Sequence, residues 1–247
     1  MIDTTGLECN VYDGLKVWEP KANDTNNRDQ IMRISGSTHF LQNMIIPQHA
    51  KLSLEIGTGV GYVAMQLAKH SDMVIATDIN VEALKLAKFN AEQNGIHNIQ
   101  FICCDMFTSF KEHKFDLIVS NPPFVISPDN KQTFRDNDFL GDGFMQWFIQ
   151  ESLLYLADNG TVKVIGEWIN EFDEEWFCDN SCINLVIPFS EADIPTYINR
   201  WLNSKCPDRV REWKDYYEQH NVKTIQYGLI TMEMSNSTTV GVVNLFE

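Results

Sequence analysis

The residues best suited to chemistry are Asn121-Pro122-Pro123-Phe124, which follow directly on the apolar run of residues 115–120. Two successive prolines carry no amide hydrogen and hold φ at about −65°, so they stop strand pairing and fix the neighbouring carbonyls in one direction. Asn121 adds a side-chain amide and Phe124 a flat aromatic face. Together they make an acceptor-rich corner that fits a planar, nitrogen-bearing group. The same four residues also read as a plain strand-terminating turn.

A second set of residues decides what lies beside that corner. Glu55 stands near the end of the apolar run 51–56, Gly57-Thr58-Gly59-Val60-Gly61 follows, Asp78 closes the run 73–77, and Asp105 closes 99–104. Glycines let backbone approach a ligand closely, and a carboxylate at the second strand end can accept both hydroxyls of a ribose, so the spacing suits a nucleoside. NAD-binding oxidoreductases use a similar turn. Here, however, Tyr62 stands directly after Gly61 and Glu55 would face an incoming pyrophosphate, whereas no lysine or arginine lies in the turn. The sulfonium and ammonium groups of S-adenosylmethionine would instead find carboxylates at Glu55, Asp78 and Asp105. Ile79 and Met106 directly follow two of these acids.

The elements that must position these groups alternate. Strands are expected at 51–56, 73–77, 99–104, 115–120 and 161–166, and helices at 62–70, 81–93 (capped by Asn80, with Gly95 past its end) and 143–156 (closed by Asn159-Gly160). Strands alternating with helices of this length imply right-handed crossovers in an α/β fold with a mostly parallel sheet covered on both faces. In such a sheet ligands bind beyond the carboxyl ends of the strands, where all of the residues above fall. Residues 1–30 show neither period and read as a loosely packed cover, and a helix capped by Ser37 or Thr38 follows and ends before Pro47. Beyond Gly166 the pattern loosens: an acidic helix over 167–180, a strand over 183–189, helices over 192–202 and 209–220, and an antiparallel hairpin of 224–234 with 238–246. The division expected is a cover and helix in 1–50 and a catalytic domain in 51–247, with 167–220 placed to form a substrate lid.

Composition narrows the partners. The chain has 247 residues, 44% of them hydrophobic, enough for one large core, and no run reaches the roughly 18 apolar residues of a membrane span. No charged-then-apolar leader opens it, so a cytoplasmic location is expected. The net charge of −15 leaves no segment basic, which disfavours a long phosphate backbone as partner. The six cysteines lack C-x-x-C spacing and read as reduced thiols. Cys178 and Cys182 stand one helical turn apart but have no nearby histidine, so no metal is expected.

From residue 52 to 166 the order of motifs resembles the class I S-adenosylmethionine-dependent methyltransferases, in the small-domain branch that carries an N-P-P-aromatic motif after the fourth strand. Glu55 to Gly61 looks like the first cofactor motif, Asp78 like the ribose-binding acid, Cys104-Asp105-Met106-Phe107 like the adenine-edge motif, and Asn121 to Phe124 like the catalytic motif. The resemblance implies a Rossmann-like seven-stranded sheet with an antiparallel C-terminal hairpin. It implies S-adenosylmethionine as methyl donor and S-adenosylhomocysteine as product. It further implies that Asn121 Oδ1 and the Pro122 carbonyl accept the two hydrogens of an amino or amide group while Phe124 stacks on its plane. Relatives of this branch methylate glutamine in release factors, guanine N2 in ribosomal RNA, and adenine N6 in DNA and RNA. The acidic charge ranks an amine or amide of a small molecule, peptide or protein ahead of a nucleic-acid base. A non-catalytic adenosyl-ligand binding protein and an NAD-dependent enzyme remain as further readings. Arg135, Asp136 and Asp142, in the long loop after the motif, are placed either to read substrate or to pair with one another.

Overall fold

The computed structural model describes residues 2–22, 27–45, 48–111, 113–129, 132–172, 176, 182–202, 206–234 and 239–242, without the side chains of 182–184 and 239–242. Residues 7–20 are more regular than their composition suggests. Strands β1 (Leu7–Tyr12) and β2 (Leu15–Pro20) pair antiparallel across Asp13-Gly14, both at positive φ. The expectation of a loose cover failed because the buried face of β2 reads Leu15, Val17, Glu19, and a carboxylate hides the alternation. Glu19 is fully buried yet satisfied: Asn10 Nδ2 (2.9 Å), Tyr12 Oη (2.6 Å) and the Ile34 N–H (2.9 Å) donate to it. Helix α1 (Gly36–Met44) starts slightly earlier than expected, because Ser35 and Thr38 form a reciprocal capping box.

The alternating series follows: β3 (Ala50–Ile56), α2 (Tyr62–Leu67), β4 (Ser71–Asp78), α3 (Val81–Gln93), β5 (Ile99–Cys103), β6 (Phe115–Ser120), α4 (Gly143–Leu153) and β7 (Leu156–Ile169). Then come β8 (Cys182–Asp193), α5 (Ile194–Trp201), α6 (Pro207–Gln219), β9 (Thr224–Met234) and β10 (Thr239–Val242). Their sheet order is β10-β8-β9-β7-β6-β3-β4-β5. The expected mostly parallel α/β sheet with an antiparallel C-terminal part is present, with β9 antiparallel to both β7 and β8. One detail differs from the expected hairpin: β10 pairs in parallel with β8, which lies between it and β9. The helix expected over 167–180 is displaced at its start, where β7 runs on to Ile169 against β9. Most of the remainder, with Cys178, lies outside the described residues. Helix α4 ends at Leu153, not near 156, and Asn159-Gly160 falls in a register irregularity of β7 instead of closing the helix.

Alternation along the parallel strands fills two layers. Leu54, Ile56, Ile75 and Ile118 pack under Phe144, Met145, Phe148 and Ile149 of α4. Val74, Ala76 and Val119 point the other way, to Leu41 of α1, the apolar side chains of α2, and Leu86 and Ala91 of α3. Val17 of the hairpin joins this second layer, and Asn90 of α3 anchors β2 by exchanging two hydrogen bonds of 2.9 Å with the Trp18 backbone. Among the described residues no helix is long and apolar enough to cross a membrane.

Candidate active site

Register brings the chemistry together. Ile56 pairs with Thr77 of β4 on one side and with Ser120 of β6 on the other. The next residue of each strand is therefore Gly57, Asp78 or Asn121, three positions level at one sheet edge where strand order reverses. They line a cavity of about 610 Å³ together with Glu55, Thr58, Gly59, Ile79, Asp105, Met106, and Pro122 to Phe124. Among the described residues no histidine lines it.

Gly57, Gly59 and Gly61 all have φ between 54° and 83°, the left-handed region. At Gly61 a side chain is excluded twice over, since a Cβ would stand 2.8 Å from the Cβ of Ala87 where the start of α2 meets α3. The turn is stitched to β4: the Thr58 N–H donates to the Thr77 carbonyl (2.8 Å) and the Gly59 N–H to Asp78 Oδ2 (2.9 Å). Asp78 Oδ1 accepts from the Asn80 N–H (2.9 Å), so this carboxylate is held in one orientation while each oxygen keeps a further lone pair. Burial raises its pKa, and the N–H groups of Asn80, Gly59 and Ile79 oppose that. Glu55 lies beneath the turn, buried, and accepts from Thr58 Oγ1 (2.6 Å). Burial is the main reason its carboxyl is pushed up to about 8, with the Asp78 charge adding to it. Asp105 is exposed at the opposite lip, and the chain turns there without starting a helix at Met106.

At the Asn-Pro-Pro-Phe corner each polar group has a direction. Asn121 Nδ2 donates to Ser37 Oγ of α1 (3.2 Å), which turns Oδ1, on the other arm of the planar amide, away from that helix. The Pro123 carbonyl accepts from Asn137 Nδ2 (2.7 Å), which fixes the second proline's peptide. Phe124 is half-buried and touches the Tyr227 ring, centroids 5.7 Å apart.

The residues expected to read substrate divide. Arg135 and Asp136 line the cavity but spend their charge on each other, through Arg135 Nε to Asp136 Oδ1 (2.7 Å) and Nη2 to Oδ2 (3.0 Å). Arg135 also lies over the rings of Trp201 and Trp213. Asp142 lies away from this cavity: it is buried, accepting from the Ile169 N–H (3.0 Å) and Gln146 Nε2 (3.2 Å). Tyr62 also lines the cavity, its hydroxyl donating to Asp13 of the hairpin and its ring set edge-on to Tyr12 and His39. Sequence reasoning missed Ser37 and Asn137, whose partners are far along the chain or on the backbone. It also missed the bridge at Asp29, whose carboxylate accepts from Thr133 Oγ1 (2.6 Å) and whose carbonyl accepts from Asn80 Nδ2 (2.7 Å). That bridge ties the two lips of the cavity, and no local spacing announces it.

Comparison with known proteins gives this geometry its context. A candidate protein N5-glutamine methyltransferase of Methanocaldococcus jannaschii is 32% identical over 176 residues, covering 66% of this chain and 86% of that protein. The release factor glutamine methyltransferase of Streptococcus pneumoniae is 30% identical over 197 residues, covering 77% of this chain and 65% of that enzyme, just under two thirds of its length. The solved M. jannaschii tRNA m1G37 methyltransferase shares the fold, with a TM-score of 0.56 at 14% identity over 94% of this chain and 58% of that one. The YcgJ protein of Bacillus subtilis does so with a TM-score of 0.52 at 12% identity, over 81% and 98%. A family model for the methyltransferase small domain matches residues 32–167, more than half of the sequence, and encloses Glu55, the glycine turn, Asp78, Asp105 and the Asn-Pro-Pro-Phe corner. The chain therefore belongs to the methyltransferase small domain family and is a methyltransferase.

Proposed function

We propose that the chain transfers a methyl group from S-adenosylmethionine to the side-chain amide nitrogen of a protein glutamine. The carrying observation is the corner itself: the planar amide of Asn121 is held by Ser37 and the Pro123 carbonyl by Asn137, so the Asn-Pro-Pro-Phe segment is fixed from both sides. An amide oxygen and a backbone carbonyl beside an aromatic side chain supply the two acceptors that the hydrogens of a primary amide need, and both relatives named above carry glutamine in their names. The donor set of the neighbouring half fits the cofactor: buried Glu55 opposes an ammonium, Asp78 a pair of ribose hydroxyls, and exposed Asp105 with Ile79 and Met106 an adenine edge. When bound, the cofactor supplies an electrophilic methyl on a sulfonium. The protein's residues then have a positioning task. Asn121 and Pro122 orient the nitrogen, accept its hydrogens and stabilise the positive charge that grows on it, Phe124 fixes its plane, and the walls exclude water. Of the 167–220 region, α5 reaches the cavity through Trp201, which we read as closing the substrate side, while β1, β2 and α1 form the cover.

The test is incubation of the purified protein with methyl-labelled S-adenosylmethionine and, in separate arms, a release factor, a glutamine-containing peptide and ribosomal RNA. Label on a glutamine, located by mass spectrometry, is expected. Label in RNA alone, falling steeply as salt is raised, would replace the protein acceptor by a nucleobase.

A further inference from the structure

Behind the corner lies a carboxylate that positioning of cofactor and acceptor leaves unused. Glu167, near the end of β7, is 1% exposed. Its cross-strand partner is Tyr227, the residue whose ring meets Phe124, so both side chains leave the same face of the sheet toward the corner. Two groups donate to Glu167 Oε2: the hydroxyl of Tyr197 on α5 and the N–H of Ile126, at 3.4 Å. The same N–H lies 3.2 Å from Tyr197 Oη, and Tyr217 Oη of α6 donates to the Ile126 carbonyl at 2.7 Å. Both ends of one residue, two beyond Phe124, are thus held by side chains 41 to 91 positions away. Val125 and Ile126 are packed by Tyr197, Ile198, Trp213 and Tyr217 into a core of their own.

We infer that Glu167, with Tyr197 and Tyr217, is a positioning clamp that fixes Phe124 and the Pro122 carbonyl through the Ile126 peptide, and that α5 and α6 serve as its anchor. The inference rests on the reading of Asn121 to Phe124 as the acceptor corner. Purely apolar side chains on α5 and α6 would pack Ile126 equally well, but they would leave the Ile126 N–H and carbonyl buried without partners. The ionised carboxylate is the stronger acceptor for both donors. Burial pushes its pKa up to about 7 against those donors and the charges of Arg200 and Arg135, while Tyr197, Tyr217 and Tyr227 are all raised and stay protonated around it. The clamp therefore tightens as pH rises through about 7.

The experiment uses the full chain, Glu167→Gln and Tyr217→Phe. The Ile126 amide is followed by nitrogen-15 NMR from about pH 5.5 to 8.5, and S-adenosylhomocysteine affinity and methyl transfer to the release factor are measured over the same range. In the parent protein the Ile126 shift is expected to titrate near neutral pH, with kcat rising along the same curve. In Glu167→Gln both curves should flatten and kcat at high pH should fall about tenfold (about 1.4 kcal/mol), while cofactor-product affinity changes less than about twofold. Tyr217→Phe should lower kcat and keep the titration. An Ile126 amide that does not titrate in the parent, or a Glu167→Gln enzyme with unchanged kcat and pH profile, overturns the clamp. If no arm shows methylation, the functional reading fails, and the Ile126 titration still decides whether the clamp exists.

Discussion

The cofactor half and the acceptor half of the cavity are built on different plans. In the first, the partners of the glycine turn are local or one strand away: Thr58 to Glu55, Gly59 to Asp78, Asn80 to Asp78. Much of the work is done by backbone N–H groups and positive φ, so few side chains matter and their spacing is characteristic. In the second, the Asn-Pro-Pro-Phe corner is held by side chains from distant segments, Ser37 to Asn121 across 84 positions and Tyr217 to Ile126 across 91. A site made from local turns is fixed once its strands pair, whereas one made from long-range contacts depends on the distant helices α1 and α6 being folded.

The largest separation of the two halves should come from Asn121→Ala. It removes one of the two acceptors that orient the nitrogen and leaves the glycine turn untouched. Turnover on the acceptor protein is expected to fall by about 10⁴-fold or more, with S-adenosylhomocysteine affinity, measured by calorimetry, within about threefold. A mutant with full activity would remove Asn121 from the mechanism.

In the other half the sharpest probe is pH. Glu55 has a carboxyl raised from 4.5 to about 8 by burial, so the native state holds its proton more tightly than the unfolded chain. Its contribution is complete below pH 4.5 and is lost as pH rises through about 8. At about 1.36 kcal/mol per pH unit this amounts to a few kcal/mol. Thermal midpoints of the ligand-free protein should fall across that window, and Glu55→Gln should flatten the fall. A cation held beside Glu55 favours its ionised form. Binding of S-adenosylmethionine near pH 7 should then release a proton, seen as a binding enthalpy that varies with the ionisation heat of the buffer. A buffer-independent enthalpy would separate Glu55 from the ligand's charge.

Gly61→Ala should act on the frame of the same half. The added Cβ meets Ala87 at 2.8 Å and the backbone is at φ 83°, so both packing and conformation oppose it. A loss of about 2–4 kcal/mol in denaturant unfolding is expected, together with weaker cofactor binding.

The same contrast explains what could be read from the sequence. Glu55 to Gly61, Asp78 and Asn121 to Phe124 announce themselves because strand ends, glycines and prolines are local signals, and strand register then brings them level. Glu19 concealed a strand because a carboxylate with four partners sits where alternation demands an apolar residue. Asp142 looked like a substrate reader because it follows the corner in sequence, yet it faces the Ile169 N–H at the far end of β7. The pairing of β10 with β8 could not be read either, since a strand after a short turn ordinarily pairs with the one before it.

The smallest effect expected is the one that weakens the acceptor half alone. Arg209 of α6 is bound to Asp129, whose side chain is 3% exposed, in the loop that follows the corner. Removing one partner of a buried pair typically costs about 3–5 kcal/mol, because the remaining charge is stranded. Here the Asp129 carboxylate keeps Arg135, with Nη2 at 3.5 Å. Arg209→Ala should therefore cost only about 1–2 kcal/mol. The loss should appear as faster exchange of amides in α6 and residues 125–129, with cofactor-product affinity unchanged. If exchange accelerates equally around the glycine turn, the two halves unfold as one unit, and long-range anchoring of the corner is a property of the whole sheet instead of α5 and α6.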